Sequence, residues 1–244
     1  MELFITFLAG FSIFVGVLIV KLFGSGKQEE IEHVSMAMAL AALLSLLVLD
    51  LVPEVIESAE KSGWLLEIVM AVIGFVLLVM LDRFVPEHED NEDNHDAGNA
   101  LHIGIIAALG IIVHNIVEGM TVYSVLFTNL HNGIILAIGI ALHNLPMGMM
   151  IYSAMRPKKR SEKLVVFGLV TFSTLIGGFI MQAVSGHISE YISGALMAVA
   201  VGMIVYLVVM ELLPHVLKTK GWVLNVIGAI IGFALVYASS LIGG

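Results

Sequence analysis

The chain has 244 residues, of which 59% are hydrophobic and only 13% charged, with a mean hydropathy of +1.02; a soluble domain carries about 25% charged residues. It contains no cysteine, which excludes disulfides and thiolate metal sites. The formal net charge of −9 is spread over loops with no basic stripe, which excludes a nucleic-acid surface.

Apolar runs close to the length of a bilayer core recur along the chain and predict eight membrane spans. The first, 3–22, begins "MELFITFL" without a basic n-region or a good cleavage site after it. It is therefore expected to be a membrane helix and not a cleaved signal. The others are expected at 31–52, 64–85, 101–127, 133–155, 164–184, 192–213 and 222–241. With eight spans, Lys21, Lys27, Arg83, Arg156, Lys158, Lys159, Arg160, Lys163, Lys218 and Lys220 all fall on one side, and only Lys61 on the other. The excess of Lys and Arg marks the cytoplasmic side, so both termini are expected outside. The fold class is thus an all-α polytopic membrane protein, expected in a plasma or inner membrane.

The second span ends "LDLVPEV" and is followed by "KSGWLLEIVMAVIGFVLL"; the seventh ends "MELLPHV" and is followed by "TKGWVLNVIGAIIGFALV". Trp64, Gly74 and Phe75 match Trp222, Gly232 and Phe233 at one constant offset. The two units run in opposite senses across the membrane under the expected topology, as in transporters built from inverted repeats. This divides the chain into a first repeat (1–85), a polar segment (86–100), a central helix pair (101–155) and a second repeat (163–244), a 3+2+3 arrangement. The segment "PEHEDNEDNHDAGN", 86–99, is expected to be a cytoplasmic linker; its carboxylates and imidazoles also suit loose collection of divalent cations.

The central pair carries the chemistry. "IIVHNIVEGM" (111–120) is answered by "IALHNLPMGM" (140–149). His114 falls about 20 Å along its helix at 1.5 Å per residue, near the bilayer centre. Glu118 lies four residues on, on the same helix face, and Met147 stands in that relation to His143. Ionisable groups at such depth face the protein interior, a cavity or a cation. A lone intramembrane histidine commonly bonds a neighbouring helix, but two His-Asn pairs with a glutamate at ligand spacing fit a metal better. Imidazole with carboxylate suits zinc and neighbouring first-row divalent ions. Pro146 is expected to free the Leu142 carbonyl and bend its helix. Gly119 and Gly148 are expected to let these two helices approach one another.

Eight spans, the His/Asp-rich 86–99 segment, "HNIVEG", "HNLPMG" and "DLVPE" together resemble the ZIP family of divalent-metal transporters over the whole chain. The resemblance implies a homodimer in the lipid bilayer that moves zinc, and often iron or another divalent ion, towards the cytoplasm. It implies that His114, Asn115 and Glu118, with His143, Asn144 and position 147, line the transport site. Family members usually carry an acid where Met147 stands and often another in helix 6, where this chain has Ser173 and Thr174. One metal position is therefore expected, held by His114, Glu118 and His143, with Met147 either a soft neutral neighbour or core filling. Asp50 and Glu54 at the outer end of helix 2, and Glu211 and His215 at the inner end of helix 7, are peripheral candidates for cation recruitment and release. His102, His131 and His187 are expected at solvated membrane edges, and Met36 and Met38 in the core. No permanently bound cofactor is expected. An intramembrane hydrolase is disfavoured, because neither His-Glu-x-x-His nor a serine–base pair occurs. A transport-impaired metal sensor is the alternative to a carrier.

Overall fold

The computed structural model describes residues 1–24, 26–84, 95–184, 190–219 and 221–243. Among the described residues, eight helices are long and apolar enough to cross a membrane: α1 (Glu2–Phe23), α2 (Gln28–Ser62), α3 (Trp64–Asp82), α4 (Ala100–Thr128), α5 (Leu130–Ala154), α6 (Arg160–Ala183), α7 (Tyr191–Lys218) and α8 (Trp222–Leu241). The helix that includes α4 begins earlier, at His95. The end of the acidic segment is therefore helical, and the rest of it, 86–94, lies outside the described residues, as does His187.

Two helices outrun their expected ends for one physical reason. Proline removes a backbone donor and clashes with the preceding turn, so Pro53 and Pro214 look like stops. In both helices the turn ahead of the proline widens into π geometry, at Leu47–Leu51 and at Leu207–Leu212. A π-turn takes up the mismatch, and each helix continues, to Ser62 and to Lys218. The extension of α2 is docked by Glu67 of α3. That carboxylate is 2% exposed, and its Oε1 accepts the hydroxyls of Ser58 and Ser62, each at 2.7 Å. Gly63, at φ 101°, turns the chain between the two helices. Helix α5, in contrast, runs through Pro146 without interruption.

In the packing, α4 and α5 touch each other and carry α6 and α1 respectively, while α2 pairs with α8 and α3 with α7. The most lipid-like surfaces belong to α3 and α8, where exposed side chains such as Leu65, Ile68, Val226 and Ile230 point away from the bundle. The largest core cluster runs from Ile13 through Met36, Leu43 and Ile106 to Met147, Ile151 and Met203. Met38 is buried as well, at 2% exposure.

The close helix crossings correct one expectation. A Cβ on Gly119 would collide with the Thr174 carbonyl of α6, and one on Gly148 with the Ile13 carbonyl of α1. The two glycines therefore seat α6 against α4 and α1 against α5; they do not bring α4 and α5 together. Asparagine follows the same scheme. The Asn115 amide donates to the Val170 carbonyl of α6 at 3.1 Å, and the Asn144 amide donates to the Ala9 carbonyl of α1 at 3.4 Å.

Candidate metal centre

Helices α4 and α5 bring His114, Glu118 and His143 to one buried point, each 6% exposed or less. The Nε2 atoms of His114 and His143 lie 2.9 and 2.8 Å from the same carboxylate oxygen, Glu118 Oε1. The imidazole rings are 6.1 Å apart at 45°. Each residue offers a ligand atom, and all three atoms fall within 4.8 Å of one another. Although the N···O separations are short, neither Nε2 has hydrogen-bonding geometry to a partner among the described residues. Glu118 Oε2 and both Nδ1 atoms are also buried without a hydrogen bond, as are the side-chain oxygens of Asn115 and Asn144. Orphaned buried polar atoms are costly, about 1–3 kcal/mol each. Each neutral imidazole offers one acceptor nitrogen beside the Glu118 carboxylate, a donor set that suits a divalent cation.

The flanking residues add no second carboxylate from α6. Ser173 spends its hydroxyl on the Val170 carbonyl at 2.6 Å, while Thr171 and Thr174 keep buried hydroxyls without partners. Met147 is fully buried and belongs to the main apolar cluster with Ile13, Met36 and Ile151.

A cavity of about 290 Å³ leads to the cluster. Its lining extends from Leu136, near the start of α5, and Ser240, near the end of α8, down to Glu118 and His143. Asp50 and Glu54 line the same space. Asp50 lies within the π-turn of α2 and Glu54 just past Pro53.

A second cluster lies at the opposite end of the bundle. Asp82 of α3, His102 of α4 and Glu211 of α7 offer ligand atoms within 4.8 Å of one another, all half-buried. His102 Nε2 and Asp82 Oδ1 are 2.7 Å apart, and the Tyr206 hydroxyl donates to Glu211 at 3.4 Å. His102 and Glu211 share a neighbouring cavity of about 200 Å³ with His215. Sequence reasoning placed Glu211 and His215 at this end but missed Asp82 and left His102 to solvent, whereas His102 is paired. His131 is exposed, as expected.

The profile of the ZIP zinc transporters matches residues 86–240 of the chain. That is more than half its length and includes the α4 and α5 motifs. The chain belongs to the ZIP family. Its relatives include the zinc transporter ZupT of Enterobacter sp. (strain 638), 29% identical over 220 residues that span 87% of this chain and 85% of that protein. ZupT of Salmonella heidelberg (strain SL476) is 28% identical over 221 residues, with the same coverage of both chains. Eight apolar helices in a ZIP member make this a multi-pass membrane protein.

Proposed function

We propose that the protein carries a divalent metal cation, zinc foremost, across the membrane towards the cytoplasm through the site formed by His114, Glu118 and His143. The observation that carries this reading is the convergence of two imidazoles and one carboxylate, buried midway along α4 and α5, on a space reached by a cavity. The related transporters named for zinc support the choice of ion. Asp50 and Glu54 raise the local cation concentration in the outer cavity. Glu118 supplies the single full negative charge at the centre, and the imidazoles supply neutral nitrogen ligands. Asn115 and Asn144 hold α6 and α1 through their amides and leave carbonyl oxygens for the ion or its water. Asp82, His102, Glu211 and His215 receive the ion at the inner end. A single central carboxylate holds a divalent ion less tightly than a pair would, which favours its release.

We infer that the helices form an inverted 3+2+3 repeat with both termini outside. Contacts support the inference through two constant offsets. Asn115 bonding Val170 has its counterpart in Asn144 bonding Ala9; the α4 and α5 members are 29 residues apart and the α6 and α1 members 161. The same offsets relate Gly119 against Thr174 to Gly148 against Ile13, and Gly177 against Ile116 to Gly16 against Leu145. Ser12 bonding Ala9 likewise matches Ser173 bonding Val170.

Reconstitution tests the function. Purified protein in liposomes that enclose a zinc-sensitive dye should give saturable uptake, absent from protein-free liposomes. Tight zinc binding without flux would replace the carrier by the sensor reading.

A further inference from the structure

Five of the chain's eleven Lys and Arg residues fall between positions 156 and 163, and they are not all turned to solvent. A cavity of about 320 Å³ lies where the end of α1, the start of α2, the end of α5 and the start of α6 meet. Lys21, Arg156 and Lys163 line it, together with Gln28, Tyr152 and Ser153. Lys163 folds back towards the bundle: its ammonium donates to the Arg156 carbonyl at 3.0 Å and sits 5.3 Å over the Tyr152 ring. Neither Lys21 nor Lys163 has a carboxylate within 4.0 Å among the described residues; Arg156 has Glu32 at a loose 3.9 Å. Lys21 and Arg156 are exposed at the cavity's mouth and Lys163 is half-buried, whereas the equally exposed Lys159 and Arg160 do not line it. An orientation signal needs only charges near the membrane; it does not need cations gathered around a cavity with amide and hydroxyl donors.

The apolar setting narrows the ligand. On the same helix ends, Leu18 and Leu22 of α1 and Leu164 and Val165 of α6 are 50% or more exposed. Cations at helix ends that also carry exposed apolar side chains, on the side that the charge pattern assigns to the cytoplasm, suit a molecule with a phosphate and acyl chains. Basic pockets between membrane helices on that side hold anionic headgroups. We propose that this cavity is a binding site for one anionic phospholipid, its phosphate received by Lys21, Arg156 and Lys163, bridging α1 and α2 to α5 and α6.

The test uses the purified full chain in neutral detergent, with lipid adducts resolved by native mass spectrometry. The probes are phosphatidylglycerol, phosphatidylcholine and inorganic phosphate. One retained phosphatidylglycerol per chain is expected, at least tenfold tighter than phosphatidylcholine. Lys21→Ala with Lys163→Ala should weaken it about tenfold or more. Lys163 also bonds the Arg156 carbonyl in the turn after α5, so Lys21→Gln with Arg156→Gln, which leaves that bond in place, is the second variant, and size-exclusion profiles verify folding. Lys158→Ala, Lys159→Ala and Arg160→Ala together remove more charge outside the cavity and should change the affinity less than threefold. The proposal is overturned if that triple variant loses as much as the cavity variants, if the two lipids bind alike, or if inorganic phosphate alone binds as tightly as phosphatidylglycerol.

Discussion

Glu118→Gln isolates the charge at the centre while keeping the side chain's shape. In the parent, one carboxylate oxygen stands 2.9 and 2.8 Å from two imidazole nitrogens at a site where Glu118 is 6% exposed. A unit charge and a divalent ion 4 Å apart attract by about 8 kcal/mol at an effective dielectric of about 20. Much of that is offset by stripping water from the ion, so the net loss is smaller. Removing one partner of a buried charge pair costs about 3–5 kcal/mol. At about 1.4 kcal/mol per tenfold change, the zinc Kd should rise by about 100-fold to about 4,000-fold. Competition with a chelating dye on detergent-purified protein measures it, with the size-exclusion profile as the folding control. A Kd within threefold of the parent would show that Glu118 is not a ligand and that the cluster is only a helix-packing device.

Other expectations follow from the same geometry. Met147→Leu, a volume-conserving change inside the apolar cluster, should leave zinc affinity within threefold, whereas Met147→Ala should lower stability by about 2–5 kcal/mol through the void it leaves; denaturation midpoints and dye competition separate the two effects. Met147→Glu should tighten zinc binding by adding a second charge and slow its release, read as a lower Kd with a lower maximal flux. Glu54→Gln in the outer cavity should reduce uptake at limiting zinc and leave it nearly unchanged at saturation, because the residue lines the approach and not the site. Gly119→Val should cause misassembly, since even a Cβ there meets the Thr174 carbonyl, and would appear as aggregation on size-exclusion. Cysteines placed singly at Asn94 and Asn132 are free of background thiols; an impermeant reagent applied to intact cells should label only the second, and labelling at 94 would invert the topology.

The helix count and the convergence of His114, Glu118 and His143 were legible because they are written locally. Apolar length gives the spans, and His114 with Glu118 is a one-turn relation on a single helix. The 29-residue spacing of the two His-Asn motifs reappears in contacts as specific as the asparagine bonds to Val170 and Ala9. What the sequence hid was non-local. Asp82, His102 and Glu211 come from three helices and share no short spacing, so nothing in the chain joins them before it folds. The extensions of α2 and α7 were hidden because a proline reads as a stop, and the acid-x-x-Pro phrase shared by both stretches does not itself say that the turn ahead of it widens and carries the helix on. The partners of Gly119 and Gly148 were misassigned for a similar reason: a small residue announces a close crossing but not which helix crosses.

Zinc flux through the central cluster is best measured by following uptake into proteoliposomes for the parent, Glu118→Gln and His143→Ala side by side, at equal protein content and rising zinc. Saturable uptake in the parent with both variants at the protein-free background would place the pathway at His114, Glu118 and His143. Parent-like maximal flux in either variant would contradict it and move the route elsewhere in the bundle.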